Sequence, residues 1–138
     1  MTFEASRQAL VTQFEAALAA YPSTKPKVQY DNRGLIDTKT QVDPYIVLNI
    51  VDINGRQLDL SNRPMSAQYG QLMLTVMAKE NSGSRAANLL RDYFLPWLEL
   101  KELGVVRTQT GMGVKSFVSK GWEGFPILVP FWWLRVAT

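Results

Sequence analysis

The run Tyr45-Ile46-Val47-Leu48-Asn49-Ile50-Val51 carries large apolar side chains on both faces of what reads as an extended strand. Successive strand side chains point to opposite faces, so Tyr45, Val47 and Val51 share one side and Ile46, Leu48 and Ile50 the other. Such a strand needs cover on both sides, from a helix layer, another sheet or a neighbouring subunit. Asn54-Gly55 follows, and both central positions of a type I′ turn require the positive φ that Asn and Gly accept. The pattern therefore predicts a two-residue hairpin in which Ile53 faces Arg56, Val51 faces Leu58, Asn49 faces Leu60 and Ile50 lies opposite Asp59.

Around this hairpin, helical and strand-like patterns alternate. Phe3, Leu10, Phe14, Leu18 and Tyr21 form one apolar helical stripe, which Pro22 stops. Val28 and Tyr30 mark a short strand, and residues 31–43, polar and mixed in charge, read as a projecting arm. Gln68 to Lys79 predicts a second long strand, with Leu72, Leu74, Val76 and Ala78 on one face. Candidate N-caps in Asn81-Ser82-Gly83-Ser84 precede Ala86, Leu89, Leu90, Tyr93 and Trp97 at helical spacing, with Pro96 expected to end or kink that helix. Residues 104–124 hold five glycines and read as a glycine-rich loop region. Phe125 to Val136 reads as a strand, and Pro126 and Pro130 suit an edge or bulged position. The expected architecture is α/β (α+β): a mostly antiparallel or mixed sheet with one N-terminal and one central helix packed on it. At 138 residues, residues 1–138 are expected to form a single domain.

Composition narrows the chemistry. The chain has no histidine and no cysteine, which removes the commonest general base, the commonest transition-metal ligand and all thiolate chemistry. No catalytic, cofactor-binding or metal-binding residue is assigned, and neither an enzyme nor a cofactor is expected. The net charge of +3, with fifteen basic residues scattered among twelve acidic ones, is a weak nucleic-acid footprint. The acidic, amphipathic N-terminus does not read as a secretory signal. The longest apolar stretch, Phe125 to Leu134, falls short of the about 20 residues a spanning helix needs, so no membrane role is expected.

The motif-like fragments resolve to ordinary structure. Gly111-Met112-Gly113 lacks the third glycine of a dinucleotide-binding fingerprint, where Ser116 stands. Asp52-Ile53-Asn54-Gly55 opens like a calcium loop but has Arg56 and Arg63 at ligand positions. Glu99 and Glu102 are spaced to share a helix face, a pairing that reads more simply as a solvated surface beside Lys101. A carboxylate-dependent enzyme would need at least two of Asp43, Asp52, Asp59 and Glu99 to converge in an apolar concavity.

Two clusters bear on assembly. Trp122, Phe125, Phe131, Trp132 and Trp133 crowd the C-terminal segment, and neighbouring strand residues point to opposite faces. They serve either as core or as part of a subunit interface, where aromatic residues are enriched. With the two-faced strand, this makes Tyr45, Val47, Trp122, Trp132 and Trp133 candidate subunit-interface residues. Arg107, Lys115 and Lys120 lie in the glycine-rich stretch with no acidic residue between Leu103 and Trp122, and repeated around a ring axis they would form a positive collar.

The order of these elements resembles the tail terminator, or minor tail protein, of long-tailed bacteriophages. The resemblance rests on the helix Phe3 to Tyr21, the polar segment, the hairpin, and the strand Tyr69 to Met77. It continues through the Ser82-Gly83-Ser84-Arg85-Ala86-Ala87-Asn88-Leu89-Leu90 helix start, Gly121-Trp122, and a last strand with Val129-Pro130-Phe131. It implies a subunit of a homohexameric ring that binds the head-proximal end of the tail tube, stops its growth and presents a surface for head joining. The implied partners are other copies of the chain, the tail-tube protein, a head-completion or connector protein, and genomic DNA passing through the lumen unread. Arg107, Lys115 and Lys120 are, from their charge, the candidate lumen-facing or DNA-facing residues, and the resemblance itself assigns no contact residue. The implied location is the virion tail, with the host cytoplasm during assembly. Competing readings are another connector or tube component, the carboxylate enzyme, and a sequence-unspecific nucleic-acid binder.

Overall fold

A computed structural model describes residues 2–31, 36, 41, 43–57, 65–81 and 83–136. Helix α1, Phe3–Ala19, starts where the Thr2 hydroxyl accepts a hydrogen bond from Ala5 N at 3.1 Å, which satisfies one of the helix's free amides. Ser6, Leu10, Phe14 and Ala17 form its buried stripe. Three strands follow: β1 (Val28–Tyr30), β2 (Tyr45–Gln57) and β3 (Met65–Lys79). Helix α2, Arg85–Leu98, runs only two residues past Pro96. Four short strands, β4 (Glu102–Leu103), β5 (Val106–Thr108), β6 (Met112–Gly113) and β7 (Phe117–Ser119), then lead to the long β8 (Trp122–Val136).

The described strands form one mixed sheet in the order β1-β2-β3-β8-β5-β4, with β6 and β7 also on β8. Only β1–β2 is parallel. This is the expected α+β architecture. Register aligns Ile46 with Val76 and Phe125, Leu48 with Leu74 and Ile127, and Ile50 with Leu72 and Val129 across three strands. The helices pack on that face, where Leu10, Phe14, Leu90, Phe94 and Leu98 complete the core. The Phe14 and Phe94 rings stack at 5.1 Å between centroids.

Three local expectations are corrected. Asn54-Gly55 is not a turn: β2 continues through it, pairing Asn54 with Tyr69 and Gly55 with Gln68, and a bulge leaves Ile53 unpaired. A Cβ on Gly55 would sit 2.5 Å from Gln68 Nε2, so the glycine serves close side-chain approach. Val51 therefore pairs with Gln71, Asn49 with Met73 and Ile50 with Leu72. The β2–β3 connection, with Leu58, Asp59 and Leu60, lies outside the described residues. The tight two-residue hairpin sits instead between β7 and β8, where Lys120 and Gly121 have φ of 51° and 82° and Ser119 pairs with Trp122.

Strand β8 is interior, not an edge. Val114 N donates to Pro126 O at 3.1 Å and Gln109 N to Pro130 O at 2.8 Å. In an antiparallel strand a residue's nitrogen and carbonyl point the same way, so both proline nitrogens face the interrupted β5–β7 side. The β3–β8 ladder is left intact.

The buried stripe of α2 is Ala87, Leu90, Phe94 and Leu98, turned by one residue from the predicted one. Ala86 and Leu89 are exposed, because Phe94 and Leu98 face the sheet. Tyr93 and Trp97 instead meet α1: the Tyr93 hydroxyl donates to Ala17 O at 2.7 Å, and Gln13 Nε2 donates to Trp97 O at 2.8 Å.

Candidate assembly surface

The second face of the sheet carries neither helix. By register it holds Tyr45, Val47, Asn49 and Val51 from β2, Tyr69, Gln71, Met73, Thr75 and Met77 from β3, and Pro126, Leu128, Pro130 and Trp132 from β8. Asn49, Met73, Leu128 and Met112 make one row across four strands. Val51 and Met112 are each about half exposed, while Met73, Leu128 and Trp132 are partly buried. Phe117 on β7, 45% exposed, lies opposite Gly124 on this same face and extends the apolar strip toward the start of β8.

The five candidate interface residues separate by position. Trp133 is core, 2% exposed, with its ring 5.8 Å from Phe131 and 6.0 Å from Phe3. Tyr45 and Trp122 are buried against each other, ring centroids 5.0 Å apart, in a small cluster with Met77, Ile36 and Val47. Burial raises the Tyr45 phenol above its ordinary pKa. These three are covered within one protomer, so only Val47 and Trp132 keep surface for a partner. The open face adds Val51, Met73, Met112, Phe117 and Leu128, which the period-two alternation of β3 signals only when β2 is read beside it.

The three basic residues are not one patch. Arg107 pairs with Trp132 across the ladder, whereas Lys120 turns into Trp122 at the other end of β8, roughly 33 Å away at about 3.3 Å per residue. Arg107 Nε also lies 3.8 Å from Glu102, and its guanidinium donates to Gly104 O. Lys115 and Lys120 are exposed.

The carboxylates are dispersed among the described residues. Glu99 caps α2 and its Oε2 accepts from Gly111 N at 2.7 Å, anchoring the glycine-rich segment, while Glu102 belongs to β4. The two share no helix face, because α2 ends at Leu98. Asp43 and Asp52 line separate clefts, and Asp59 lies outside the described residues. No group of three acidic residues stands at metal-holding distance among the described residues. No described helix is long and apolar enough to cross a membrane. Of the polar arm, Gln41 is buried and donates to Asp43 O at 3.0 Å, and Ile36 N donates to Gln29 Oε1 at 3.2 Å. Most of residues 31–43 lies outside the described residues.

A solved protein structure superposes with a TM-score of 0.67 over 96% of each chain at 14% identity, a likeness of fold alone. No family model and no curated protein matches the sequence.

Proposed function

We propose that this chain is a structural virion subunit of the tail-terminator type, which closes into a ring on the head-proximal end of a phage tail tube. It ends tube growth there and offers the surface for head joining. The observation that supports this reading is the open apolar face of the sheet. An apolar strip from Val51 through Met73 and Leu128 to Met112, continued by Phe117, is the kind of surface that marks an interaction site. Head-to-tail contacts between identical subunits close into a ring when the rotation permits. Repeated around an axis, Lys115 and Lys120 would give a positive collar that tolerates passing DNA without reading its sequence.

Native mass spectrometry and negative-stain microscopy of the full chain, alone and with tail tubes, test this. A closed hexamer, or a single ring capping each tube end, is the expected result. A strict monomer that leaves tube ends bare would overturn it, and open filaments would favour a tube component instead.

A further inference from the structure

The helix layer, on the other side of the sheet from the assembly face, carries a groove of about 690 Å³ between the end of α1 and the start of α2. Its α2 wall is Ala86, Leu89 and Leu90, at the i, i+3 and i+4 spacing that forms one helical stripe. Leu89 is 55% exposed. Tyr21 lines the groove, backed by Phe94 and Tyr93 at 6.1 and 4.9 Å between ring centroids. Pro26 and Pro44 stiffen the facing wall, so little ordering entropy is lost when a ligand enters.

The charge around this apolar groove is one-sided. Lys25 and Lys27 line it and Arg85 opens the first turn of α2, which has no acidic residue. Asp43 is the only acidic residue among the described residues of the lining. None of the ion pairs among the described residues engages Lys25, Lys27 or Arg85.

We propose that this groove docks an acidic, leucine-bearing peptide segment of a partner protein, its apolar side chain seated between Leu89 and Tyr21 and its carboxylates facing Lys25 and Lys27. The match is of charge and of apolar shape together. A nucleic acid is disfavoured because the α2 wall is aliphatic and the described lining offers one stackable ring, Tyr21. The inference does not rest on ring assembly, since the surfaces lie on opposite sides of the sheet.

The test titrates the isotope-labelled full chain with a short synthetic peptide of glutamates and leucines, followed by amide shifts. Perturbations should centre on Lys25, Lys27, Ala86 and Leu89. Leu89→Glu should weaken binding roughly tenfold or more by removing the apolar anchor. The double variant Lys25→Glu, Lys27→Glu should weaken it and flatten its salt dependence. Both variants change exposed side chains, and an unchanged thermal midpoint checks that they fold. No binding at millimolar peptide, equal binding to Leu89→Glu, or equal binding of a lysine-for-glutamate peptide would overturn the proposal. So would a single-stranded oligonucleotide that shifts these amides while the peptide does not, or a change in native mass on Leu89→Glu, which would make the groove a self-contact.

Discussion

The ring of Phe131 fills the space that a Cβ on Gly70 would need, directly across the β3–β8 ladder, and Val51 O lies 2.6 Å from the same point. Gly70 is therefore required by room, not by a left-handed backbone. Gly70→Ala should destabilise the fold by about 1–3 kcal/mol through overpacking, read from urea denaturation. Adding Phe131→Leu should recover part of that loss, because the two sites share one volume. Strictly additive effects would contradict the contact.

The neighbouring tryptophans divide fold from assembly. Trp133 is buried among Phe3 and Phe131 on the helix side, and its indole N–H has no partner among the described residues. Trp133→Ala should cost about 3–5 kcal/mol, while Trp133→Phe should cost much less because it also removes the unpaired donor. Trp132, partly buried on the open face, should lose about 1 kcal/mol or less on change to alanine and yet weaken self-association. Sedimentation alongside denaturation separates these effects, and loss of folding by Trp132→Ala would refute the division.

The Lys120-Gly121 turn makes a third prediction. Lys120 holds a positive φ that Asn adopts more readily, so Lys120→Asn should stabilise by about 0.5 kcal/mol. Gly121→Ala should cost about 1 kcal/mol at its φ of 82°. A thermal midpoint that moves the other way for either variant would show that the turn is not of this type.

That turn also shows where sequence reading reaches its limit. The helices, the long strands and the two-sided apolar character of β2 follow from periodicity, since Ile46, Leu48 and Ile50 need a helix layer and find one in Leu10, Phe14 and Phe94. The tight turn does not follow, because local chemistry favours Asn54-Gly55 while register is decided by long-range pairing with Gln68 and Tyr69. The interior place of β8 was hidden for a similar reason. Pro126 and Pro130 suggest an edge unless the short strands β5–β7 are known to leave a gap beside them. The open face was legible only in part: Val47 and Trp132 were visible as apolar, but separating them from buried Tyr45, Trp122 and Trp133 requires the fold.

Two phenols, partly buried Tyr30 and buried Tyr45, set a pH dependence. Burial, then the charge of Glu15 and a hydrogen bond to it, raise Tyr30, and burial raises Tyr45. In each case the folded chain favours the neutral phenol, so the folded pKa lies above the unfolded value of about 10. The resulting stability is fully present below that unfolded value and is lost as pH rises through the folded pKa values. Urea midpoints measured from about pH 8 to 11 should therefore fall at the alkaline end. Tyr30→Phe and Tyr45→Phe, which cannot ionise, should each flatten the fall. Steepening in either variant, or stability that rises with pH across this window, would contradict the burial-driven shift.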